Sequence, residues 1–195
     1  HTKNSMVSYK FLFPLFIASS ALASLQVQAQ QKLQASQSEI VFVSKQMGVP
    51  GEGRFKTFDA QISFDPAKPV AAKLNFSVDM ASATLGSKET DAELVKADWF
   101  NTAKFAKAGF QSGAVKSTGA GKYEVIGKLS IKGLSQDIVV PVSLSQTGGL
   151  TTAVGAFTLK RLPFKIGDNE WSDTSMVADD VQVKFKFVLT GVAKL

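Results

Sequence analysis

The side chains with the most chemical potential in this sequence are carboxylates in two short clusters. Asp91 and Glu93 lie two apart in Thr90-Asp91-Ala92-Glu93, and Asp168, Glu170 and Asp173 fall within KIGDNEWSD. A carboxylate pair can serve as general acid and general base. Each cluster also has a plainer reading. Acids in the first turn of a helix cap it and match its dipole, and the second group reads as a solvated turn. No nucleophile–base constellation accompanies them. The chain has no Cys, and its single His is His1. Ser–His and Cys–His catalysis are thereby excluded from residues 30–195, as are the usual zinc and copper sites built from His and Cys. An enzyme is not expected, nor a metal or a resident cofactor.

The aromatic content points elsewhere. There are 15 Phe against two Tyr and two Trp. Phe has no polar handle, so this excess calls for a large apolar interior. The net charge of +6 is mild, and the lysines alternate along the chain instead of clustering. Nucleic-acid binding would need a basic patch, and none is expected.

Residues 1–29 read as separate from the fold. His1–Ser5, ahead of Met6, look extraneous. Lys10 then precedes the apolar run Phe11–Leu25, and Val27-Gln28-Ala29 is a small-residue cleavage pattern. That is a secretory signal peptide cut after Ala29. The run contains Pro14 and falls short of the roughly 20 residues that span a bilayer. The expectation is an exported protein whose domain occupies residues 30–195.

The elements that must carry any site are strands. In Lys122–Leu144, Tyr123, Val125, Gly127, Leu129 and Ile131 share one side. Ile138, Val140, Val142 and Leu144 repeat the pattern beyond a turn at Gly133-Leu134-Ser135. A period of two marks a strand with one dry and one wet face. Pro141 must sit where no ladder bond is needed. Similar runs occur at 38–47, 54–64, 70–80, 108–117, 151–161 and 179–191. Phe55 is one residue out of phase with Phe58, Ile62 and Phe64, which calls for a bulge or bend near Lys56-Thr57. Val49–Gly53 reads as a loop. In 151–161 the dry face is open between Val154 with Ala156 and Phe157 with Leu159. Thr90 as N-cap with Glu93 fits a capping box, predicting a short helix over 91–97. Leu162–Ala178 is a long polar connection containing Trp171.

Eight strands with one dry face cannot be covered by one short helix. Closure into an antiparallel barrel hides that face and removes its edges. A two-sheet sandwich is the alternative. The candidate dry-face residues are Phe42, Phe58, Ile62, Phe64, Leu74, Phe76, Val78, Phe110, Leu129, Ile131, Val140, Phe185 and Phe187. Trp99, Phe100, Phe105 and Trp171 could frame a mouth or plug an end. An eight-stranded barrel of this kind is either filled by side chains or holds one small ligand.

The residues resemble a known family. FDAQISFDPAKPVAAKLNFSVDM through DWFNTAKF, then Gly127–Gly133 as G-x-L-x-I-x-G, then Arg161 before Phe164-Lys165-Ile166-Gly167, are similar in order and spacing to YceI-like proteins of the bacterial periplasm. The resemblance covers nearly all of residues 30–195. It implies an extended, lipocalin-like antiparallel barrel whose apolar tunnel holds a polyisoprenoid or similar long-chain lipid, with an isoprenoid quinone among the candidates. It implies a periplasmic, non-catalytic carrier, monomeric or homodimeric, with a transient membrane or membrane-protein partner. A filled barrel acting as an interaction module for a membrane redox protein is the alternative. Where members often carry Arg-Asp at the helix start, this chain has Thr90-Asp91. Lys88 or Arg161 would then be the candidates for a ligand head group.

Overall fold

The computed structural model describes residues 30–195, so the expected leader lies outside the described residues. The described residues are mostly antiparallel sheet. The strands are β1 (Lys32–Leu33), β2 (Glu39–Gln46), β3 (Val49–Phe55), β4 (Phe58–Ser63), β5 (Lys73–Asp79), β6 (Ala83–Thr84), β7 (Lys107–Gly119), β8 (Lys122–Ile131), β9 (Leu134–Thr147), β10 (Leu150–Lys160) and β11 (Asp180–Thr190). One α-helix, α1 (Lys88–Leu94), interrupts them between β6 and β7. Among the described residues no helix is long and apolar enough to cross a membrane.

The hydrogen-bonded path runs β4-β5-β7-β8-β9-β10-β11-β2-β3-β6, with β1 added beside β11. β4 ends this path on one side, and β3 stands one place in from the other end, flanked beyond only by the two-residue β6. β3 pairs with β2 and β4 pairs with β5, yet only Lys56 and Thr57 separate them. They are the two halves of one bent strand, which leaves one end of the sheet and enters the other. The sheet thereby curls into a barrel of eight long strands, and the extra strands in the count are that split and two two-residue bridges. The bend is held by Lys56 N–H on Ser82 O at 3.2 Å, Thr57 N–H on Ser82 Oγ at 3.0 Å and Asp79 N–H on Thr57 O at 3.0 Å. The phase slip at Phe55 therefore has its cause where the alternation placed it.

The loop expected at Val49–Gly53 is strand. The turn instead falls at Met47 and Gly48, both with positive φ, 48° and 77°. Val49-Pro50-Gly51 carried strong turn signals, but Pro50 lies on the rim and Gly53 is needed inside the sheet. An ideal Cβ at Gly53 would lie 2.3 Å from Phe42 Cζ, so the Phe42 ring lies across that glycine. Gly155 under Phe185 and Gly127 under Phe110 repeat the device, at 2.3 and 2.5 Å. Bare backbone in one strand thus seats a Phe ring from its neighbour.

The hairpin β8–β9 forms as read, with the turn one position earlier, at Lys132-Gly133. Pro141 lies just past Val142–Gly155, the last β9–β10 pair, so its missing N–H interrupts nothing on that side. In β10, Thr151 and Ala153 are buried and Val154 is 43% exposed, which assigns Phe157 and Leu159 to the dry face.

The helix begins three residues earlier than its sequence signal. Ser87 is the N-cap, its Oγ accepting from Thr90 N–H at 3.1 Å. Asp91 faces backwards instead, accepting from Thr84 Oγ1 at 2.6 Å and Leu85 N–H at 2.7 Å. Two overlapping capping patterns compete here, and the one supported by β6 prevails.

Candidate ligand-binding cavity

The dry faces of the eight long strands enclose one elongated cavity of about 650 Å³. That volume falls within the usual range for small-molecule sites. Tyr123 and Ile131 both line it, and they stand eight residues apart on β8. At about 3.4 Å per residue the cavity follows roughly 27 Å of strand. Its wall is overwhelmingly aliphatic and aromatic.

Of the expected dry-face residues, Phe42, Ile62, Phe64, Leu74, Phe76, Val78, Phe110, Leu129, Ile131, Val140, Phe185 and Phe187 line the cavity, as do Trp99, Phe100 and Trp171. Phe187 stacks on Phe76 and on Phe185, with centroids 4.8 Å apart in each case. Phe58 and Phe105 do not belong to the lining. Phe58 follows the bend and packs on Phe187 at 6.1 Å. Phe105 covers the β8–β9 turn, where its ring stands 2.9 Å from an ideal Cβ at Gly133. Its place is on the outside of the barrel end.

One end is capped by two connections that dock on each other. Asp98 O accepts from Gly167 and Asp168 N–H, both at 2.8 Å, and Asn169 Nδ2 donates to Asp98 Oδ1 at 2.6 Å. Trp99 and Trp171 meet at 5.6 Å between centroids. At the other end Gln31 donates to Phe64 O at 2.6 Å and accepts from Phe64 N–H at 2.8 Å. The tail is fixed there by Gln146, through Ala193 O and Leu195 N–H.

Arg161 lines the cavity but is not free to hold a head group. It is 1% exposed, and all five of its N–H groups are spent on backbone carbonyls. Nε donates to Ala178 O, Nη1 to Ile166 and Gly167 O, and Nη2 to Trp171 and Val177 O, at 2.7–3.0 Å. Burial pulls its pKa down, and the nearby Asp179 carboxylate opposes that. Its role is to fold the 162–178 connection around itself. Lys88 is exposed on α1 and does not reach the lining.

The carboxylates do not converge either. Asp91 is committed to Thr84 and Leu85, whose hydrogen bonds hold its carboxyl below the usual value. Glu93 pairs with Lys96. Asp173 accepts from Ser175 N–H and Oγ, which lower its pKa. Among the described residues no group of His, Cys, Asp and Glu could hold a metal ion.

The lining residues that sequence reasoning did not single out include Phe55, Met80, Leu94, Phe157 and Val183. For Val183 the alternation carried the signal, whereas for Phe157 it left the dry face open. Gln46 continues the inward alternation of Ile40, Phe42 and Ser44 on β2, whereas Glu89, Thr90 and Glu93 had no such signal, because only the packing of α1 against the barrel brings them to the cavity.

The model of the YceI-like domain matches residues 31–189. The chain belongs to the YceI-like family. A UPF0312 protein of Azotobacter vinelandii is 33% identical over 135 residues, covering 67% of this chain and 70% of that one. Among solved structures, BcnA of Burkholderia cenocepacia superposes with a TM-score of 0.78 at 43% identity, over 80% of this chain and 98% of BcnA. The Campylobacter jejuni YCEI protein gives 0.64 at 25% identity, over 70% and 82%. A polyisoprenoid-binding domain from Saccharophagus degradans, implicated in plant cell wall breakdown, gives 0.66 at 16% identity over 83% and 98%, a likeness of fold alone. The barrel is thus the family's own architecture.

Proposed function

We propose that this YceI-like protein is a non-catalytic periplasmic carrier that holds a polyisoprenoid or similar long-chain lipid, isoprenoid quinones included, in its barrel. The observation that carries the reading is the elongated apolar cavity of about 650 Å³. A chain molecule is the ligand whose shape matches a narrow wall roughly 27 Å long. Removing several hundred Å² of tail from water at about 25 cal/mol per Å² gains on the order of 10 kcal/mol, before ordering costs are subtracted. The fold likeness to a polyisoprenoid-binding domain supports the same ligand class. The filled-barrel alternative loses weight against a cavity of this size.

A carrier must exchange cargo with a membrane. The surface we propose for that contact is the hairpin tip and adjoining loop at Met47, Val49 and Met176, which are 74%, 68% and 43% exposed. Met47 N–H bonds Met176 O at 2.7 Å, so these residues form one patch, and exposed apolar patches mark contact sites. The patch adjoins Gln46 and Val177, which line the cavity.

The cargo assignment is tested by filling the lumen. Ala153 is buried and lines the wall. Ala153→Trp is expected to abolish most polyprenol binding in an equilibrium assay while the β-sheet circular dichroism is retained. A folded variant that binds as tightly as the parent would contradict the assignment.

A further inference from the structure

Four of the cavity's lining residues are exposed: Gln46 at the end of β2, and Glu89, Thr90 and Glu93, which share one face of α1. Every other lining residue is buried or half-buried. The opening beside α1 is therefore the mouth, and the polar end of a bound lipid must sit there, since the rest of the wall is apolar apart from the largely buried Ser44, Tyr123, Thr151 and Arg161.

The chemistry of this rim is one-sided. Its lining residues offer two carboxylates, that of Glu93 ion-paired with Lys96, one hydroxyl and one amide, and no cation of their own. Arg161, the sole cation in the lining, has no N–H left to give. Lys96 is engaged by Glu93, and neither it nor Lys88 lines the cavity. A phosphate at this mouth would face like charge and few donors. A hydroxyl, phenol or amide would find acceptors. Building on the carrier reading, we infer that the mouth selects a lipid whose head is uncharged and donates hydrogen bonds, and discriminates against the phosphate ester of the same chain.

The test compares a polyprenol with its own monophosphate. Trp99 and Trp171 are the protein's two tryptophans and both line the cavity, so their fluorescence reports occupancy of each probe. At low ionic strength the alcohol is expected to bind at least about tenfold more tightly than the phosphate. The ratio is expected to shrink in Glu89→Gln/Glu93→Gln and in Thr90→Arg. It should also shrink in 1 M salt, where the screening length falls to about 3 Å. These positions are exposed, so the variants are expected to fold. Equal or tighter binding of the phosphate, or a ratio unmoved by the variants, overturns the inference and leaves the carrier reading standing. Failure of both probes to bind overturns the carrier reading with it.

Discussion

The most consequential single residue is Arg161, and its importance is structural. A guanidinium buried without an adjoining carboxylate bond is costly to desolvate. Here five carbonyl oxygens offset that cost, and in return the arginine organises a connection that would otherwise have few internal bonds. Removing it leaves those carbonyls without their donors. Arg161→Met is expected to lower unfolding stability by about 3–5 kcal/mol in urea titrations. Arg161→Lys should fall between, because an ammonium has three donors for five acceptors. A loss below about 1 kcal/mol for the Met variant would mean the connection holds itself. The sequence showed Arg161 as part of a motif but not what it did. A basic residue at a strand end looks the same whether it meets a ligand or five carbonyls, and only the path of residues 162–178 decides it. The Phe residues were more legible, because alternation fixes which face they share. Phe58 keeps that rule, sharing the inner face of β4 with Ile62 and packing on Phe187 although it stops short of the lining, while Phe105 lies in the connection after the helix, where no alternation applies.

At the scale of elements, α1 is held to the barrel by the Asp91 carboxylate as well as by its own cap. Thr84 and Leu85 stabilise the charged form and so depress its pKa. A depressed carboxylate contributes stability that is complete above its unfolded value, about 3.9, and is lost as pH falls through the lower folded value. Asp91→Asn should therefore melt at a lower temperature than the parent between pH 6 and 8, with the gap closing below about pH 4. A gap that persists unchanged at pH 3 would show that charge is not what matters at this position. The strands themselves were readable from their period. The helix start and the strand at Val49–Gly53 were not, for related reasons. Ser87 and Thr90 both make acceptable caps, and Pro-Gly is as acceptable at a sheet rim as in a loop. Local propensity left each choice open, and contacts distant in sequence settled it.

For the whole molecule, barrel closure was predictable from a dry face with nothing else to cover it. The way it closes, through one strand bent at Lys56–Thr57, follows from the phase slip at Phe55. Whether the enclosed space was filled or open could not be read from residue types, since the same Phe side chains pack a core or line a tunnel. The patch at Met47, Val49 and Met176 bears on how cargo moves. Met47→Asp/Met176→Asp is expected to slow polyprenol transfer to phospholipid vesicles several-fold while leaving the affinity for polyprenol in solution unchanged. Transfer at the parent rate would place the membrane contact elsewhere.

The measurement that bears most directly on the carrier reading is native mass spectrometry of the protein purified without detergent, followed by solvent extraction and identification of the released lipid. The expected result is a near-stoichiometric adduct that yields an isoprenoid chain with an uncharged head. A spectrum containing only the polypeptide, together with no uptake of added polyprenol, would contradict it.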